Sequence, residues 1–452
     1  MAPIRLHDTR SGELRELVAP SDGRVGIYAC GPTVYGRIHV GNARPFVVYS
    51  LLKRFLEHEG HDVTLVINIT DVNDKIYDAA GRLDVPSADL AAEMAAYYKA
   101  DTDALGLGRP DAEPLASETI ETIVALIAEL IARGHAYAVD GDVYFRVRSD
   151  ADYGSLSRRA IDEMNQGEES DPPTHSNRKE DPLDFALWKA HKDGEDTVWF
   201  APWGRGRPGW HIECSAMAEQ LLGVELDIHG GGSDLLFPHH ENEAAQTLAA
   251  RGRPLARLWT HNGMLQLDDA KMAKSEGNIR GLGAVVEEVG RDALILYFVA
   301  GHYRQPLAYS RERLDEAARG VQRIREAGRR VSPGDSPEDL APLRDDFFDA
   351  LADDFNTARA LATLYDWIRE VNRREASVGD AHLREMLGVL GLENLLQAGA
   401  DAPPELVELA ERRARARAQR DFAEADRLRD ELRSAGWEVR DGPEGPELVP
   451  AA

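Results

Sequence analysis

Cysteine, histidine and glutamate residues of this chain are placed so that they could bind a metal ion. The chain has two cysteines, Cys30 and Cys214, and a Pro-His-His-Glu-Asn-Glu segment at residues 238–243. Proline is favoured in a first helical turn, so His239 and Glu243 are predicted to share one face of a helix. Two thiolates, an imidazole and a carboxylate form a tetrahedral zinc set. A surface His–Glu pair and an inert buried cysteine fit the same spacing.

A glycine-containing loop could bind phosphate. Residues 33–42 join a predicted strand to a predicted helix and include His39, Gly41 and Asn42. Glycine lets a phosphate-bearing ligand approach the helix N-terminus, where backbone amides favour anions. His39 and Asn42 could donate hydrogen bonds to a transferring phosphoryl group. A simple helix cap explains the same motif, and the residues themselves leave both interpretations open.

Lysines are scarce, which makes one lysine pair informative. The chain has eight lysines against 45 arginines, yet Lys271 and Lys274 lie close together in a glycine-containing stretch, residues 268–283. Mobile lysines suit a role as point charges that close over a polyphosphate. The alternative is an ordinary solvated loop.

The elements that would position these residues form an α/β fold. We predict a strand over residues 25–29, a helix over 41–60 and a buried strand over 63–69. Strand, helix and strand in this order form a βαβ unit, and ligands bind at the loop after its first strand. The sequence therefore predicts a parallel sheet with the loop of His39 at its ligand-binding edge.

The remaining segments have less regular patterns. We predict, in chain order, a helix over residues 120–134, a polar insertion over 149–179, strands and loops over 199–214 and 221–229, helices over 311–331, 342–372 and 383–390, a linker at 401–404, and a charged helix with a short tail that holds residues 437–440.

Composition limits the class of protein. The 452 residues are 43% hydrophobic and 29% charged, which is a globular composition. No apolar run approaches the ~20 residues that span a bilayer, and the first residues lack the pattern of a secretory signal. Two cysteines far apart in sequence fit a reducing compartment. We therefore expect a cytoplasmic protein with no membrane partner.

The net charge argues against broad contact with nucleic acid. The formal charge is -26 and the pI about 5.0, whereas phosphate binding needs clustered cations. One segment is an exception, because no acid interrupts its five arginines, Arg412, Arg413, Arg415, Arg417 and Arg420. Of these, Arg413, Arg417 and Arg420 would share one helix face. They predict either a nucleic-acid contact or an ordinary solvated face.

Taken together, these motifs resemble those of the cysteinyl-tRNA synthetases, a family of class I aminoacyl-tRNA synthetases. The similarity covers nearly the whole chain, and the segments that carry it are residues 30–35, 39–42, 68–76, 209–217, 227–243, 271–275, 353–357 and 420–426. Ala273 stands where the family's Lys-Met-Ser-Lys-Ser motif has serine, and Asn73 where an acid is common. Residues 159–180 match poorly.

The resemblance implies a Rossmann-like catalytic domain with an insertion, followed by a helical bundle and a small C-terminal domain. The expected parts are the first half of the catalytic domain (1–120), a connective insertion (121–200), the second half (201–262), a region with the lysine loop and contacts to the tRNA stem (263–310), a helical tRNA-binding bundle (311–400) and an anticodon-side domain (401–452).

The resemblance also implies a reaction. The enzyme would activate L-cysteine with ATP and Mg²⁺ to cysteinyl adenylate, and would then pass cysteine to the 3′-terminal adenosine of its tRNA. One zinc ion per chain would be held by Cys30, Cys214, His239 and Glu243 and would bind the substrate thiolate. We expect a monomer.

The other site residues are carried over by position. His39, Asn42, Lys271 and Lys274 would stabilise the charge on the phosphates during activation. The residues expected to line the amino-acid and nucleotide pocket are Gly41, Thr70, Trp210, His229, Asp234 and Lys274.

Two other functions are consistent with part of these features. A mycothiol-pathway cysteine ligase would keep the zinc set and both nucleotide motifs but would transfer cysteine to an amino-sugar. The Arg-rich helix and the C-terminal tail argue against it. A catalytically inactive RNA-binding paralogue is the second alternative, and the intact His39, Lys271, Lys274 and four ligand positions argue against that.

Overall fold

The computed structural model describes residues 3–19, 23–164, 178–267, 270–271, 280–396, 404–419, 421–435, 437–442 and 445–450. A short antiparallel hairpin is followed by the first βαβ unit and two helices: β1 (Arg5–Asp8), β2 (Glu13–Glu16), β3 (Arg24–Ala29), α1 (Val40–His58), β4 (Asp62–Ile67), α2 (Asp74–Leu83) and α3 (Ser87–Asp103). Strands β3 and β4 are parallel, with Ile27 opposite Leu65. The predicted βαβ unit and the α/β fold are confirmed.

An insertion with its own sheet follows this unit. Its elements are α4 (Ile120–Ala132), β5 (Ala136–Val139), β6 (Asp142–Phe145), β7 (Phe185–Ala190), β8 (Trp199–Ala201) and β9 (Gly204–Pro208). The five strands are antiparallel neighbours in the order β5-β6-β7-β9-β8, and the sheet extends to Pro208. One face packs on α4 around Trp188 and Phe185, in a hydrophobic core separate from that of the central sheet. Residues 165–177 of the predicted polar stretch lie outside the described residues.

Two more helices and strands complete the central sheet. They are α5 (Trp210–Leu222), β10 (Leu226–Gly232), α6 (Glu241–Arg251) and β11 (Ala256–Asn262). The sheet is parallel, in the order β11-β10-β3-β4. The strand-and-loop prediction for residues 199–214 is wrong at its end, because Cys214 lies on α5. Every side chain from His211 to Ala218 is buried, so this helix lacks the one-sided apolar period by which helices are found.

A small sheet carries the start of the predicted lysine loop. Its region comprises β12 (Leu265–Leu267), β13 (Ala270–Lys271), α7 (Leu282–Val289), α8 (Arg291–Val299) and β14 (Leu307–Tyr309), and the strand order is β13-β12-β14. Arg44, buried on α1, donates hydrogen bonds to the carbonyls of Gly263 at 2.6 Å and Gln305 at 2.8 Å. These bonds join α1 to the residues just before β12 and β14, the two parallel strands of the small sheet.

The following region is helical, with two short strands. It consists of α9 (Arg311–Gly328), β15 (Val331–Ser332), α10 (Ala341–Ala352), α11 (Thr357–Asn372), β16 (Val378–Gly379) and α12 (Ala381–Val389). The prediction of one helix over residues 342–372 is wrong, because α10 and α11 are separate. Asp354 and Phe355 between them have φ angles of 64° and 46°. The Asp354 carboxylate accepts hydrogen bonds from the backbone N–H of His7 at 2.9 Å and from Nε of Arg304 at 2.8 Å. Tertiary contacts thus stabilise this break.

The C-terminal elements are α13 (Pro404–Ala418), α14 (Phe422–Ser434), β17 (Trp437–Gly442) and β18 (Gly445–Pro450). The two strands form an antiparallel hairpin, with Trp437 opposite Pro450. Most of the predicted linker, residues 401–403, lies outside the described residues. Within the described ranges, no helix combines the length and the apolar character that crossing a membrane requires.

Candidate active site and metal centre

Four side chains from three parts of the fold converge beside the carboxyl end of β3. Cys30 follows β3, Cys214 lies on α5, His239 lies two residues before α6 and Glu243 lies in the first turn of α6. All four are buried, and their ligand atoms lie within 4.8 Å of one another. The regular helix begins at Glu241 and not at Pro238, yet Nε2 of His239 still lies 3.0 Å from Oε1 of Glu243.

A cation bound between the two cysteine thiols would favour the deprotonated form of both. Burial raises the pKa of Cys30 well above its usual value, and a hydrogen bond with Cys30 lowers the pKa of Cys214 to about 6. Sγ of Cys30 also lies 3.5 Å from Oε1 of Glu243. Since burying several negative groups together is unfavourable, a divalent cation would allow all of them to be deprotonated. Two thiolates, an imidazole and a carboxylate fit tetrahedral Zn²⁺.

His211 and Trp210 orient the histidine of this cluster. Nδ1 of His211 lies 2.9 Å from Nδ1 of His239, and the Trp210 ring stacks on the His239 ring with centroids 4.2 Å apart. A partner on the second ring nitrogen fixes the orientation of a metal-binding histidine. His211 was not among the site residues predicted from the sequence. Its position three residues before Cys214, a spacing that places both on one helix face, was the available signal.

His229 contacts the carboxylate of the cluster. It lies on β10, fully buried, with Nε2 2.8 Å from Oε2 of Glu243. Its ring stacks on Trp259 at a centroid distance of 4.4 Å. Asp234 follows the same strand, but it is exposed on a short turn and is not part of the buried cluster.

Thr70 lies where the loop after β3 meets the segment after β4. Backbone hydrogen bonds join Val34 to Thr70 and Thr70 to Pro32, each at 3.1 Å. Oδ1 of Asn68 accepts a hydrogen bond from the N–H of Gly31 at 2.9 Å. A Cβ atom at Gly31 would lie 1.8 Å from the carbonyl oxygen of Asn68, so only glycine permits this approach. These contacts fix the direction in which Cys30 leaves the sheet.

The His39 motif begins α1. His39 is the N-cap residue, and Oδ1 of Asn42 accepts a hydrogen bond from the His39 N–H at 3.1 Å. A Cβ atom at Gly41 would lie 2.9 Å from the His39 ring, so the glycine accommodates the imidazole. The helix-cap interpretation therefore describes the contacts present, and a role of these residues toward phosphate stays a prediction.

The predicted lysine loop starts and ends near this helix. Lys271 lies in β13, paired with Gln266 of β12, and its side chain is outside the described part of the chain, as is all of Lys274. After the loop, the carbonyl of Arg280 accepts a hydrogen bond from Val40 N–H at 3.0 Å. Residues 272–279 lie outside the described part of the chain.

Comparisons with known proteins decide the family. The family model described as "tRNA synthetases class I (C) catalytic domain" matches residues 16–319, "DALR domain" matches 346–394, and "Cysteinyl-tRNA ligase anticodon binding domain" matches 400–446. A cysteine–tRNA ligase of Caldicellulosiruptor saccharolyticus is 42% identical over 98% of this chain and 99% of the relative, and one of Halorhodospira halophila is 46% identical over 98% of each. The chain belongs to the cysteine–tRNA ligase family.

Solved structures agree at the level of the fold. A methionyl-tRNA synthetase of Mycobacterium tuberculosis in complex with methionyl-adenylate has a TM-score of 0.61 at 17% identity, over 82% of this chain and 89% of that chain. This structural similarity confirms the class I synthetase fold that the motifs of this cysteine–tRNA ligase family member predicted.

The C-terminal arginine face predicted for this family member is partly wrong. Arg413 has only 7% of its surface exposed and lies on α13, which packs against α14 and β18. Arg420 lies outside the described residues. Arg412 and Arg415 are exposed and lie 3.7 Å from Glu424 and 3.5 Å from Glu411. Exposed ion pairs of this kind are weak, so they do not exclude a phosphate partner.

Proposed function

We propose that this protein is an ATP-dependent cysteine–tRNA ligase with one zinc ion. In the first step, L-cysteine and ATP give cysteinyl adenylate and pyrophosphate. In the second step, cysteine passes to the 3′-terminal adenosine of its tRNA, and AMP leaves. The observation that carries this proposal is the buried convergence of Cys30 and Cys214 with His239 and Glu243, in a chain of this family.

These four residues would hold the zinc ion, which supplies, when bound, a position for the substrate thiolate. His211 and Trp210 hold His239 in place, and His229 holds Glu243. A hydrophobic pocket distinguishes a missing group by only about 1–3 kcal/mol, whereas a site with a polar requirement rejects the lacking analogue far more strongly. Serine and alanine would therefore be excluded during activation.

The phosphate groups would be bound at the start of α1. His39 and Asn42 lie there beside Gly41, and the loop of Lys271 and Lys274 starts and ends nearby. Catalysis of the first step then consists of positioning ATP, with Mg²⁺, and of stabilising the charge that develops at the α-phosphate. Residues proposed for the amino-acid and adenosine pocket are Thr70, Trp210, His229 and Asp234.

We further propose that the protein acts as a monomer, because one chain supplies all four ligands. We place it in the cytoplasm, because two cysteines far apart in sequence fit a reducing compartment. The match of the anticodon-binding model to residues 400–446 favours tRNA over an amino-sugar as the acceptor. This match is the reason to prefer the ligase over the mycothiol-pathway alternative.

The proposal is tested by metal content, by pyrophosphate exchange and by charging of tRNA. Protein purified without added metal should contain about one zinc per chain. Exchange should depend on cysteine and should be absent with serine or without an amino acid. Cys214→Ser should lose zinc and exchange together, while Ser11→Ala, a change on an exposed turn, serves as the control. A metal-free protein that still activates cysteine would refute the proposal.

A further inference from the structure

A short segment between β6 and β7 is fastened to the start of α6. It comprises residues 153–158, which we call the strap. The carboxylate of Glu241 accepts hydrogen bonds from three backbone N–H groups of the strap, those of Gly154 at 2.9 Å, Leu156 at 3.3 Å and Ser157 at 2.6 Å. The Tyr153 hydroxyl donates a further hydrogen bond to Oδ1 of Asn242. Two consecutive residues of α6 therefore hold the strap.

The Glu241 side chain is buried at this junction. It has 2% of its surface exposed, and among the described residues its hydrogen-bond donors are the three amides of the strap. A hydrogen bond to an ionised acceptor is stronger than one between neutral groups, and a buried carboxylate left without donors is costly. Separation of the strap from α6 is therefore unfavourable while Glu241 is ionised.

The points of attachment lie between two of the proposed zinc ligands. Glu241 and Asn242 separate His239 from Glu243 in the sequence. The regular helix begins only at Glu241, and Phe237 shortly before it has extended backbone angles, φ -141° and ψ 132°. Helical hydrogen bonds alone therefore do not fix His239 relative to Glu243, so their geometry depends on contacts from outside the helix.

The strap also contributes to the apolar surroundings of the metal cluster. Leu156 is fully buried and belongs to the same hydrophobic core as Cys30 and Cys214. Just beyond the strap, the guanidinium of Arg159 lies over the Phe237 ring, 4.6 Å from its centroid. Apolar groups around a metal site control the access of water to it. Release of the strap would therefore loosen α6 and open the cluster to solvent at the same time.

The simpler interpretation is that Glu241 only stabilises the fold. The chain offers a carboxylate with similar contacts for comparison, since Asp184 has 1% of its surface exposed and also has three donors. These donors are the backbone N–H groups of Val147 at 3.0 Å and Asp181 at 3.2 Å and the hydroxyl of Tyr137 at 2.9 Å. Asp184 precedes β7 in the insertion and is remote in sequence from the four proposed ligands. It therefore serves as a matched control.

We propose that Glu241 is a positioning residue for the zinc site. By holding the strap against the first turn of α6, it keeps His239 and Glu243 in place and slows the release of the metal. The inference rests on the proposed function, in which these two residues are zinc ligands. Because coupling between two binding events is reciprocal, bound zinc in turn keeps the strap attached.

The rate at which zinc passes to an excess of chelator measures this role. Glu241→Gln keeps the shape of the side chain but removes its charge and one acceptor oxygen, so it should release zinc about tenfold faster than the parent or more. Asp184→Asn should release zinc at the parental rate, although both changes should lower the temperature of unfolding. Tyr153→Phe removes only the hydroxyl bond to Asn242 and should release zinc about threefold faster, which keeps the test available if Glu241→Gln does not fold.

Hydrogen exchange measures the reciprocal effect without any assay of activity. In the parent, the amides of Gly154, Leu156 and Ser157 should exchange about tenfold more slowly with zinc bound than in the metal-free protein. The amide of Val147, which Asp184 holds, should exchange equally in both forms. In Glu241→Gln the strap amides should exchange rapidly in both forms, because their acceptor is weakened.

Three results would overturn the inference. They are a parental rate of zinc release in Glu241→Gln, an equal acceleration in Asp184→Asn, and strap amides that exchange at the same rate with and without zinc. Each of these results is obtained with a parent that holds zinc and activates cysteine, so the proposed function would stand. A parent that binds no zinc would overturn the proposed function and this inference together.

Discussion

His229 and Glu243 are joined at the metal cluster, with Nε2 of the histidine 2.8 Å from Oε2 of the carboxylate. The other oxygen, Oε1, faces His239 at 3.0 Å and Cys30 at 3.5 Å. One oxygen of Glu243 therefore faces the proposed zinc ligands His239 and Cys30, and the other is bonded to His229. Partners of this kind orient a ligand and tune its affinity for the metal.

His229→Leu should weaken zinc binding by about 10–100-fold, because it removes the partner of Oε2 and leaves that oxygen buried without a donor. The dissociation constant is measured by competition with a chelator. His135→Leu, in the insertion, is the control and should bind zinc as the parent does. Equal affinities for His229→Leu and the parent would contradict the assigned role.

His261 should make the stability of the protein sensitive to mild acid. Burial lowers its pKa from 6.5 to about 3, and its two ring nitrogens lie 2.8 Å from Thr9 and His240. The folded state keeps it neutral, while the unfolded state binds a proton below about pH 6.5. The stability that neutral His261 contributes to the fold is therefore complete above pH 6.5 and is lost progressively as the pH falls toward 3.

Between pH 7 and pH 5 this amounts to about 2 kcal/mol of unfolding free energy. Denaturant titration at pH 7 and at pH 5 measures how much the unfolding free energy falls between them. This fall should be about 2 kcal/mol smaller in His261→Gln than in the parent. The same pH dependence in the two proteins would show that His261 does not titrate on unfolding in this range.

Arg44→Met should destabilise the fold by about 3 kcal/mol, since it leaves buried carbonyl oxygens without a donor. Burial lowers the pKa of Arg44 to about 10, so the guanidinium remains charged at neutral pH. Arg54→Met on the same helix removes a half-buried arginine with one carbonyl partner, Gly388, and should cost less. Equal losses in denaturant titration would contradict the importance of the Arg44 contacts.

Gly31→Ala should abolish zinc retention and cysteine activation together, because its Cβ would overlap the Asn68 carbonyl and displace Cys30. The matched change Gly81→Ala, on α2 with no atom within 4 Å of the new Cβ, should instead stabilise the protein by about 1 kcal/mol. Zinc content and thermal unfolding distinguish the two. A Gly31→Ala protein with a full zinc content would show that the loop adapts.

The types of chemistry and the central architecture could be predicted from the amino-acid pattern alone. Cys30, Cys214, His239 and Glu243 could be singled out because two cysteines in 452 residues are rare, and because a spacing of four places side chains on one helix face. The buried strands around Ile27 and Leu65 were equally clear, since both faces of a parallel strand are apolar.

The partners that these groups contact depend on how distant segments pack together. Periodicity assigns a residue to a face but does not say what packs there, so the contacts of His211 and His229 and the burial of Arg413 could not be predicted. The break between α10 and α11 has the same cause. Local propensity continues the helix through residue 354, but the distant His7 and Arg304 hold Asp354 in a left-handed conformation, and contacts remote in sequence outweigh that preference.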